Sequence, residues 1–256
     1  MRFRRAVIVA VIGGALLSGC AGSPPLTARQ MRLVGLRTAL GVAYLRQGQL
    51  GLARHELQMA LSTDAHNANA NNAMGLVEER LGESGKARHY FRTGLKHHPH
   101  DGSLQNNYGA FLCSHGEIKA ALRHFHAALA SPLYPTPQLA DENMGICLLK
   151  VPDLPQAVHY FHRAQALAPA MAEPFYYLAK VHYEQHHDRA ARADIRRYLH
   201  TARSARALAL GVRIGRATHD THLVRYCATR LLAGFAKTPE AHWVERLQRE
   251  GKLLGN

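Results

Sequence analysis

A period of 34 residues runs through most of the chain and constrains the fold more than any other feature. Alanines recur at Ala53, Ala87, Ala121, Ala157 and Ala191, at spacings of 34, 34, 36 and 34 residues. The same period relates Gly41, Gly75, Gly109 and Gly145, and also Phe91, Phe125 and Phe161. Because all three series lengthen to 36 at the same place, an alanine-rich composition does not explain them. The chain is therefore expected to be a stack of similar units, each burying its apolar face against its neighbours.

The two extra residues of the longer interval fall between Ala128 and Gly145. This stretch contains the sequence Pro132-Leu133-Tyr134-Pro135-Thr136-Pro137. Proline lacks a backbone N–H and interrupts helices, so a cluster of prolines predicts a loop. The insertion is therefore expected to lengthen the connection between the third and fourth units and to leave the units themselves unchanged.

A 34-residue period with small residues at these places resembles the tetratricopeptide repeat, a helix-turn-helix unit. The resemblance implies an all-α fold, a tetratricopeptide-repeat superhelix of about six helix-turn-helix units plus a C-terminal capping helix. Packing supports it, because glycine and alanine suit the places where two helices cross closely, and phenylalanine fills the space beside each crossing. We assign the array to residues 34–238.

The C-terminal end of the array is less regular. In a sixth unit, Gly215, Cys227, Leu231 and Pro239 fit the pattern only if two further residues are inserted. Residues 239–256 follow, and they begin with an apolar stripe formed by Ala241, Val244 and Leu247. We expect this segment to be the capping helix that covers the last open face of the stack.

The first residues have the organisation of a secretory signal peptide. Basic residues precede an apolar run from Ala6 to Leu17, which is shorter than the roughly 20 residues of a membrane span. The run ends in Leu17-Ser18-Gly19-Cys20, which resembles the lipobox of bacterial lipoproteins. We expect removal of residues 1–19, lipidation of Cys20, and a tether within residues 20–33. An ordinary signal sequence with a chance cysteine is the alternative.

The lipoprotein resemblance and the net charge together limit the classes of binding partner. Ala21 replaces the aspartate that retains lipoproteins in the inner membrane, so the resemblance implies the periplasmic face of the outer membrane. The net charge of +14 falls to +11 without Arg2, Arg4 and Arg5. Export separates the chain from nucleic acid, which leaves solubility, an anionic surface or an acidic protein partner as reasons for the positive charge.

No arrangement of residues predicts catalysis, a cofactor or a small-molecule substrate. A glycine-rich phosphate loop and a nucleophile elbow are both missing from the sequence. His182 and His186 lie four residues apart and could share a helix face, but no third metal ligand has a suitable spacing. The chain is therefore expected to be a binding protein rather than an enzyme, without a bound metal.

Three cysteines remain besides Cys20 in a compartment that favours disulfides. In the repeat frame, Cys113 and Cys147 face each other across the first helices of adjacent units. We favour a disulfide between them, and two small buried thiols are the alternative. Cys227 replaces a small alanine and is expected to pack as an apolar group.

The middle of the chain resembles one family of repeat proteins in particular. Its motifs are Asn106-Asn107-Tyr108-Gly109 with Phe111-Leu112-Cys113, the loop from Pro132 to Pro137, and Asn143 with Gly145-Ile146-Cys147. They are similar to those of the type IV pilus biogenesis and stability lipoproteins, the pilotins of the pilus secretin. The resemblance implies that the chain promotes outer-membrane localisation and multimerisation of that secretin. The first and last units depart from the family pattern and are rich in histidine.

Certain positions of each first helix face a concave groove in this repeat class. Here they are Thr38, Val42, Leu45, Asn69, Asn72, Leu76, Glu79, Asn106, Ala110, Leu139, Glu142, Ile146, Tyr176 and Tyr183. Amides mixed with aliphatic and aromatic groups suit an extended or helical peptide of a protein partner. Two other functions stay open. One is another envelope scaffold, in outer-membrane protein assembly or cell-wall processes, and the other is a histidine-dependent hydrolase or metal-binding lipoprotein.

Overall fold

The computed structural model describes residues 25–151 and 153–254 and is entirely helical in its regular structure there. Its helices are α1 Ala28–Arg46, α2 Leu50–Thr63, α3 Ala68–Arg80, α4 Ser84–His97, α5 Gly102–Ser114, α6 Ile118–Leu129, α7 Pro137–Leu148, α8 Leu154–Leu167, α9 Glu173–Glu184, α10 Asp188–Thr201, α11 Ala205–Ala217, α12 Thr221–Gly234 and α13 Pro239–Arg249. The predicted signal peptide, residues 1–19, and the predicted lipidation site, Cys20, lie outside the described residues.

Successive helices pack as antiparallel pairs, α1 with α2 through α11 with α12, and each pair packs on the next. Short polar side chains start most of the first helices: those of Asn67, Asp101 and Ser204 accept hydrogen bonds from the backbone N–H three residues later. Such caps satisfy backbone donors that the helix itself leaves unpaired. The connection inside a pair turns at a residue with positive φ, such as Gly82 or Gly116. The pairs are therefore helix-turn-helix units, which confirms the predicted all-α tetratricopeptide-repeat architecture.

The glycine and phenylalanine series meet at the crossings within the pairs. A Cβ atom built on Gly109 would lie 2.7 Å from Cε1 of Phe125, closer than real carbon atoms approach. A Cβ atom built on Gly75 would be just as close to the ring of Phe91. The ring of Phe161 would be equally close to a Cβ atom built on the glycine of its own unit. The absence of a side chain lets the two helices cross closely enough for each phenylalanine to be fully buried. This confirms the prediction that the period comes from small residues at close helix crossings with phenylalanines beside them.

The first and last helices of the structure have different bounds from those predicted for the two ends of the array. Helix α1 begins at Ala28, six residues before the predicted start at residue 34, so residues 28–33 are helix and not tether. A capping box explains this start, since Thr27 accepts from the backbone of Gln30 and the Gln30 side chain accepts from the backbone of Thr27. At the other end, α13 covers only Pro239–Arg249 of the predicted residues 239–256.

The sixth unit has a different register from the one predicted. The turn residues with positive φ are Gly48, Gly82, Gly116, His186 and His219, so the sixth turn follows the fifth by 33 residues. The register based on Gly215 requires this turn at residue 222, three residues too late. Counting back from His219, Val212 takes the glycine place and Ala228 the phenylalanine place, and both are buried. The close crossing of this unit is made by Gly211, since a Cβ atom built on it would lie 2.5 Å from Sγ of Cys227.

The core continues through the stack and ends under α13, where Ala241 and Val244 are buried with α11 and α12. In the connection between α6 and α7, Tyr134 is buried against the start of α5 at Gly102. Within the part of the chain that the structure describes, none of the helices has the length and apolar character needed to cross a membrane.

Candidate protein-binding groove

Helices α1, α3 and α5 form a cleft of about 520 Å³ on one side of the stack. Five of the predicted groove residues line it: Thr38, Val42, Asn69, Asn72 and Leu76. Between them the lining residues Gly35, Ala39 and Ala73 have little or no side chain. Small residues at these positions leave room for a ligand to approach the helix backbones. These three residues cannot be recognised as groove residues from the sequence, because small residues also mark helix crossings.

A chain of asparagine amides crosses the concave face from α7 to α3. Nδ2 of Asn143 donates to Oδ1 of Asn106 (3.0 Å), and Nδ2 of Asn106 donates to Oδ1 of Asn107 (3.3 Å). Nδ2 of Asn107 in turn donates to Oδ1 of Asn72 (3.0 Å). The bonds fix the orientation of each amide, and Asn72 and Asn107 also line the cleft. Amide groups held in this way can donate to and accept from the backbone of a bound peptide.

A second, smaller cleft of about 180 Å³ lies between α9 and α11. The predicted groove residues Tyr176 and Tyr183 line it, together with Arg206 and Arg213. The guanidinium carbon of Arg206 lies 4.9 Å from the centre of the Tyr176 ring, a cation–π contact that orders both side chains. These arginines were not predicted, since the register of the sixth unit was wrong.

The predicted groove residues differ in how much side chain they offer to a ligand. Partly or fully exposed members are Val42, Asn69, Asn72, Leu76, Glu79, Ala110, Leu139, Ile146, Tyr176 and Tyr183. Thr38, Leu45, Asn106 and Glu142 are buried. Leu45 is only 5 % exposed and packs in the core of the first units, so it is a core residue rather than a groove residue. Asn106 and Glu142 lie beneath the surface, and Asn106 is hydrogen-bonded to the half-buried Asn107 and Asn143.

Burial raises the pKa of Glu142 to about 7, with the charge of Glu173 as a smaller cause. The protonated form is therefore favoured in the folded protein, and stability falls as the pH rises from about 4.5 to about 7. We expect Glu142→Gln to be more stable than the wild type above pH 7, by roughly 1–3 kcal/mol, with the difference vanishing toward pH 4.5. Urea unfolding at several pH values measures this. Glu184→Gln, at an exposed position of α9, is the control, and an equal gain there would contradict the assignment.

Cys113 of α5 and Cys147 of α7 are joined in a disulfide, with Cα atoms 5.8 Å apart. The bond ties together the first helices of two adjacent units, and both residues are buried in the core. Cys227 is buried without a disulfide partner, and burial raises the pKa of its thiol to about 12. A thiol with that pKa stays protonated and unreactive at neutral pH, which agrees with the expectation that Cys227 packs as an apolar group.

The two histidines that could have shared a helix face, His182 and His186, have structural roles instead. Nδ1 of His182 lies 2.8 Å from Oδ2 of Asp194, so this histidine links α9 to α10 inside one unit. His186 occupies the turn with a φ of 57°. Among the residues that the structure describes, no group of three or more histidine, cysteine, aspartate or glutamate side chains is placed to hold a metal ion.

No family model and no curated protein matches the sequence. Among solved structures, the chain is 28% identical to PilW, described as a widely conserved type IV pilus biogenesis factor. The match covers 84% of this chain and 99% of that one, with a TM-score of 0.76. For Pseudomonas aeruginosa PilF the identity is 24%, the coverage 87% and 99%, and the TM-score 0.75. A tetratricopeptide repeat protein from Parabacteroides merdae is 20% identical, with 87% and 84% covered and a TM-score of 0.62.

The likeness to the two Pil proteins extends over nearly the whole length of each of them. It agrees with the 34-residue period, with the helix-turn-helix pairs and with the glycine and phenylalanine crossings. On this ground the chain is a tetratricopeptide-repeat protein with the architecture that PilW and PilF share.

Proposed function

We propose that the chain is a scaffold protein of type IV pilus biogenesis that binds an envelope protein in its concave groove. The observation that carries the proposal is the likeness to PilW, at 28% identity over 84% of the chain. The Asn106-Asn107-Tyr108-Gly109 and Gly145-Ile146-Cys147 motifs support it, since they are the residues on which the sequence resemblance rests.

The finer proposal is that of a pilotin. Cys20 carries the lipid that holds the protein at the periplasmic face of the outer membrane, and the bound partner is the pilus secretin. The scaffold promotes localisation and multimerisation of this secretin and catalyses no reaction. The cleft suits such a role, because its lining is largely amide and apolar and suits a peptide rather than a small charged substrate.

A test of the groove needs substitutions that spare the fold. Val42, Leu76 and Ile146 would be natural targets for aspartate, but each is half-buried and packs against a core cluster. A buried charge there would destabilise the protein and confuse the result. Ala39 and Asn69 line the same cleft and are exposed, so larger side chains there fill the groove without entering the core.

We expect Ala39→Arg/Asn69→Arg to reduce secretin multimers in the outer membrane several-fold in a strain that lacks the wild-type gene. The two long side chains occupy the space that the partner needs. Ala43→Arg/Gln58→Arg adds the same charge at exposed positions outside the cleft and should restore multimers to the wild-type level. Multimers are measured by immunoblotting of outer-membrane fractions, with thermal unfolding of both variants as the folding control.

Normal multimer levels with the folded groove variant would contradict binding in this cleft. Normal secretin in the complete absence of the gene would contradict the pilotin proposal itself. A defect in another outer-membrane protein in that strain would then favour the alternative, a scaffold in outer-membrane protein assembly.

A further inference from the structure

The first unit of the stack has an open apolar end. Leu33, Leu36 and Leu40 lie on one side of α1, at spacings that place them on the same helix face. Leu36 is 60% exposed and Leu40 is 40% exposed. On α2, Leu52 and Met59 are exposed on the side that carries Glu56, which forms an ion pair with Arg37 of α1 at 3.1 Å. We call these five apolar residues, Leu33, Leu36, Leu40, Leu52 and Met59, the N-terminal face.

The α1 part of the N-terminal face, Leu36 and Leu40, corresponds to a packing surface in the later units. One period after Leu36 and Leu40 stand Ala70 and Met74, and both are fully buried where α3 packs on α2. One period further, Leu104 is fully buried in the same way. The other end of the stack is covered by α13. Among the described residues no unit precedes the first one, so the apolar residues of its stacking face are uncovered there, although terminal repeats normally have a polar outer face.

The charge around this face is strongly one-sided. Arg29 and Arg32 are exposed on the side of α1 that carries Leu36, since they precede it by seven and four residues. The sequence contains no aspartate or glutamate before Glu56, and Glu56 is paired with Arg37. An exposed apolar stripe flanked by arginines is the pattern of helices that lie on anionic lipid surfaces.

The distance to the proposed anchor is short. Seven residues separate Cys20 from the first residue of α1, and seven residues span at most about 25 Å. If Cys20 carries the lipid, α1 is held next to the bilayer, and the high effective concentration makes even a weak contact form. The inference rests on the proposed function in this one respect.

We propose that the N-terminal face lies on the anionic lipid surface of the membrane that holds Cys20. The leucines enter the interface between headgroups and acyl chains, and Arg29 and Arg32 contact lipid phosphates. Contact at this face fixes the direction in which the stack leaves the membrane, so the groove is presented to its partner in one orientation rather than on a swinging tether.

A fluorescent probe at position 36 tests the contact. In the mature lipidated protein Cys20 is acylated, Cys113 and Cys147 are bonded, and Cys227 is buried, so a cysteine introduced by Leu36→Cys can be labelled selectively. The labelled protein is reconstituted into phosphatidylglycerol/phosphatidylethanolamine vesicles. We expect a blue shift of an environment-sensitive dye at position 36. The matched control is Leu133→Cys, in a loop residue that is 91% exposed, and it should show the emission of a dye in water.

Three outcomes would overturn the proposal: equal emission at positions 36 and 133, a shift that Arg29→Gln/Arg32→Gln leaves unchanged, or a shift that disappears when the protein is diluted over more vesicles. The last outcome would indicate contact between two copies of the chain. Metabolic labelling of the wild type and of Cys20→Ala with a fatty acid tests the anchor separately. A labelled Cys20 without a blue shift would contradict the contact alone, and equal label in both proteins would contradict the anchor.

Discussion

Replacing Cys113 and Cys147 together with alanine is expected to lower the free energy of unfolding by about 3–4 kcal/mol. The disulfide closes a loop of 34 residues, and such a cross-link restricts the unfolded chain by roughly that amount. It also joins α5 to α7, two helices that are otherwise held together by packing and by the hydrogen bond between Asn143 and Asn106. Urea unfolding of the oxidised wild type and the double variant measures the difference.

Cys227→Ala is the matched control for this prediction. Its side chain is equally buried but is not bonded, so the substitution should cost only about 1 kcal/mol, the lower end of a buried truncation. A reducing agent should destabilise the wild type and leave the double variant unchanged. If the double variant unfolds within 1 kcal/mol of the wild type, the bond does not stabilise the stack.

Gly109→Leu is expected to destabilise the protein by about 3 kcal/mol, the upper end of the usual cost of overpacking. A Cβ atom at this position would already lie 2.7 Å from Phe125 and 3.2 Å from the backbone oxygen of Ala121. The backbone oxygen cannot rotate away, so the two helices must separate to admit a leucine, and overpacking of this kind typically costs about 1–3 kcal/mol. Thermal or urea unfolding measures the loss.

Gly85→Leu provides the comparison, because nothing lies within 4 Å of a Cβ atom built on this residue of α4. Leucine is a better helix former than glycine, so this variant should be unchanged or slightly more stable. Similar losses for both variants would mean that the crossing between α5 and α6 is not as tight as the distances indicate.

The regular part of the fold could be predicted from the sequence because packing repeats with the chain. Each unit needs a small residue at its crossing, and this requirement appears as a 34-residue series. The sixth unit escaped the search since its crossing glycine, Gly211, meets Cys227 rather than a phenylalanine and its turn, at His219, follows that glycine one residue later than in the regular units. Periodicity detects repeated residue types, whereas packing requires only that the partners fill the space together.

The start of α1 was missed for a different reason. It has no counterpart in the repeat series, but Thr27-Ala28-Arg29-Gln30 has the threonine and glutamine of a capping box, a local signal that the sequence already contained. Tyr134 is a further case. The prolines predicted the loop, yet its packing on Gly102 depends on how two units lie in space.

The helix face that lines the groove could be predicted, but the burial of the individual side chains on that face could not. The resemblance to the repeat class placed Val42, Asn72 and Leu76 on the groove side, and they line the cleft there. Leu45 lies on the same face by counting, yet the end of α1 is covered and the residue is buried. Pairing of amides between units, as in Asn107 with Asn72, depends on the offset between neighbouring repeats and cannot be derived from one helix alone.

Binding of the pilus secretin in the cleft between α1, α3 and α5, as proposed, can be tested by site-specific photo-crosslinking in cells. A photoreactive amino acid replaces Asn69, exposed in the cleft, or Gln58, exposed on α2 outside it. If the secretin binds in the cleft, we expect a secretin adduct from position 69 and none from position 58. No secretin adduct at position 69, or adducts of equal yield at both positions, would contradict it.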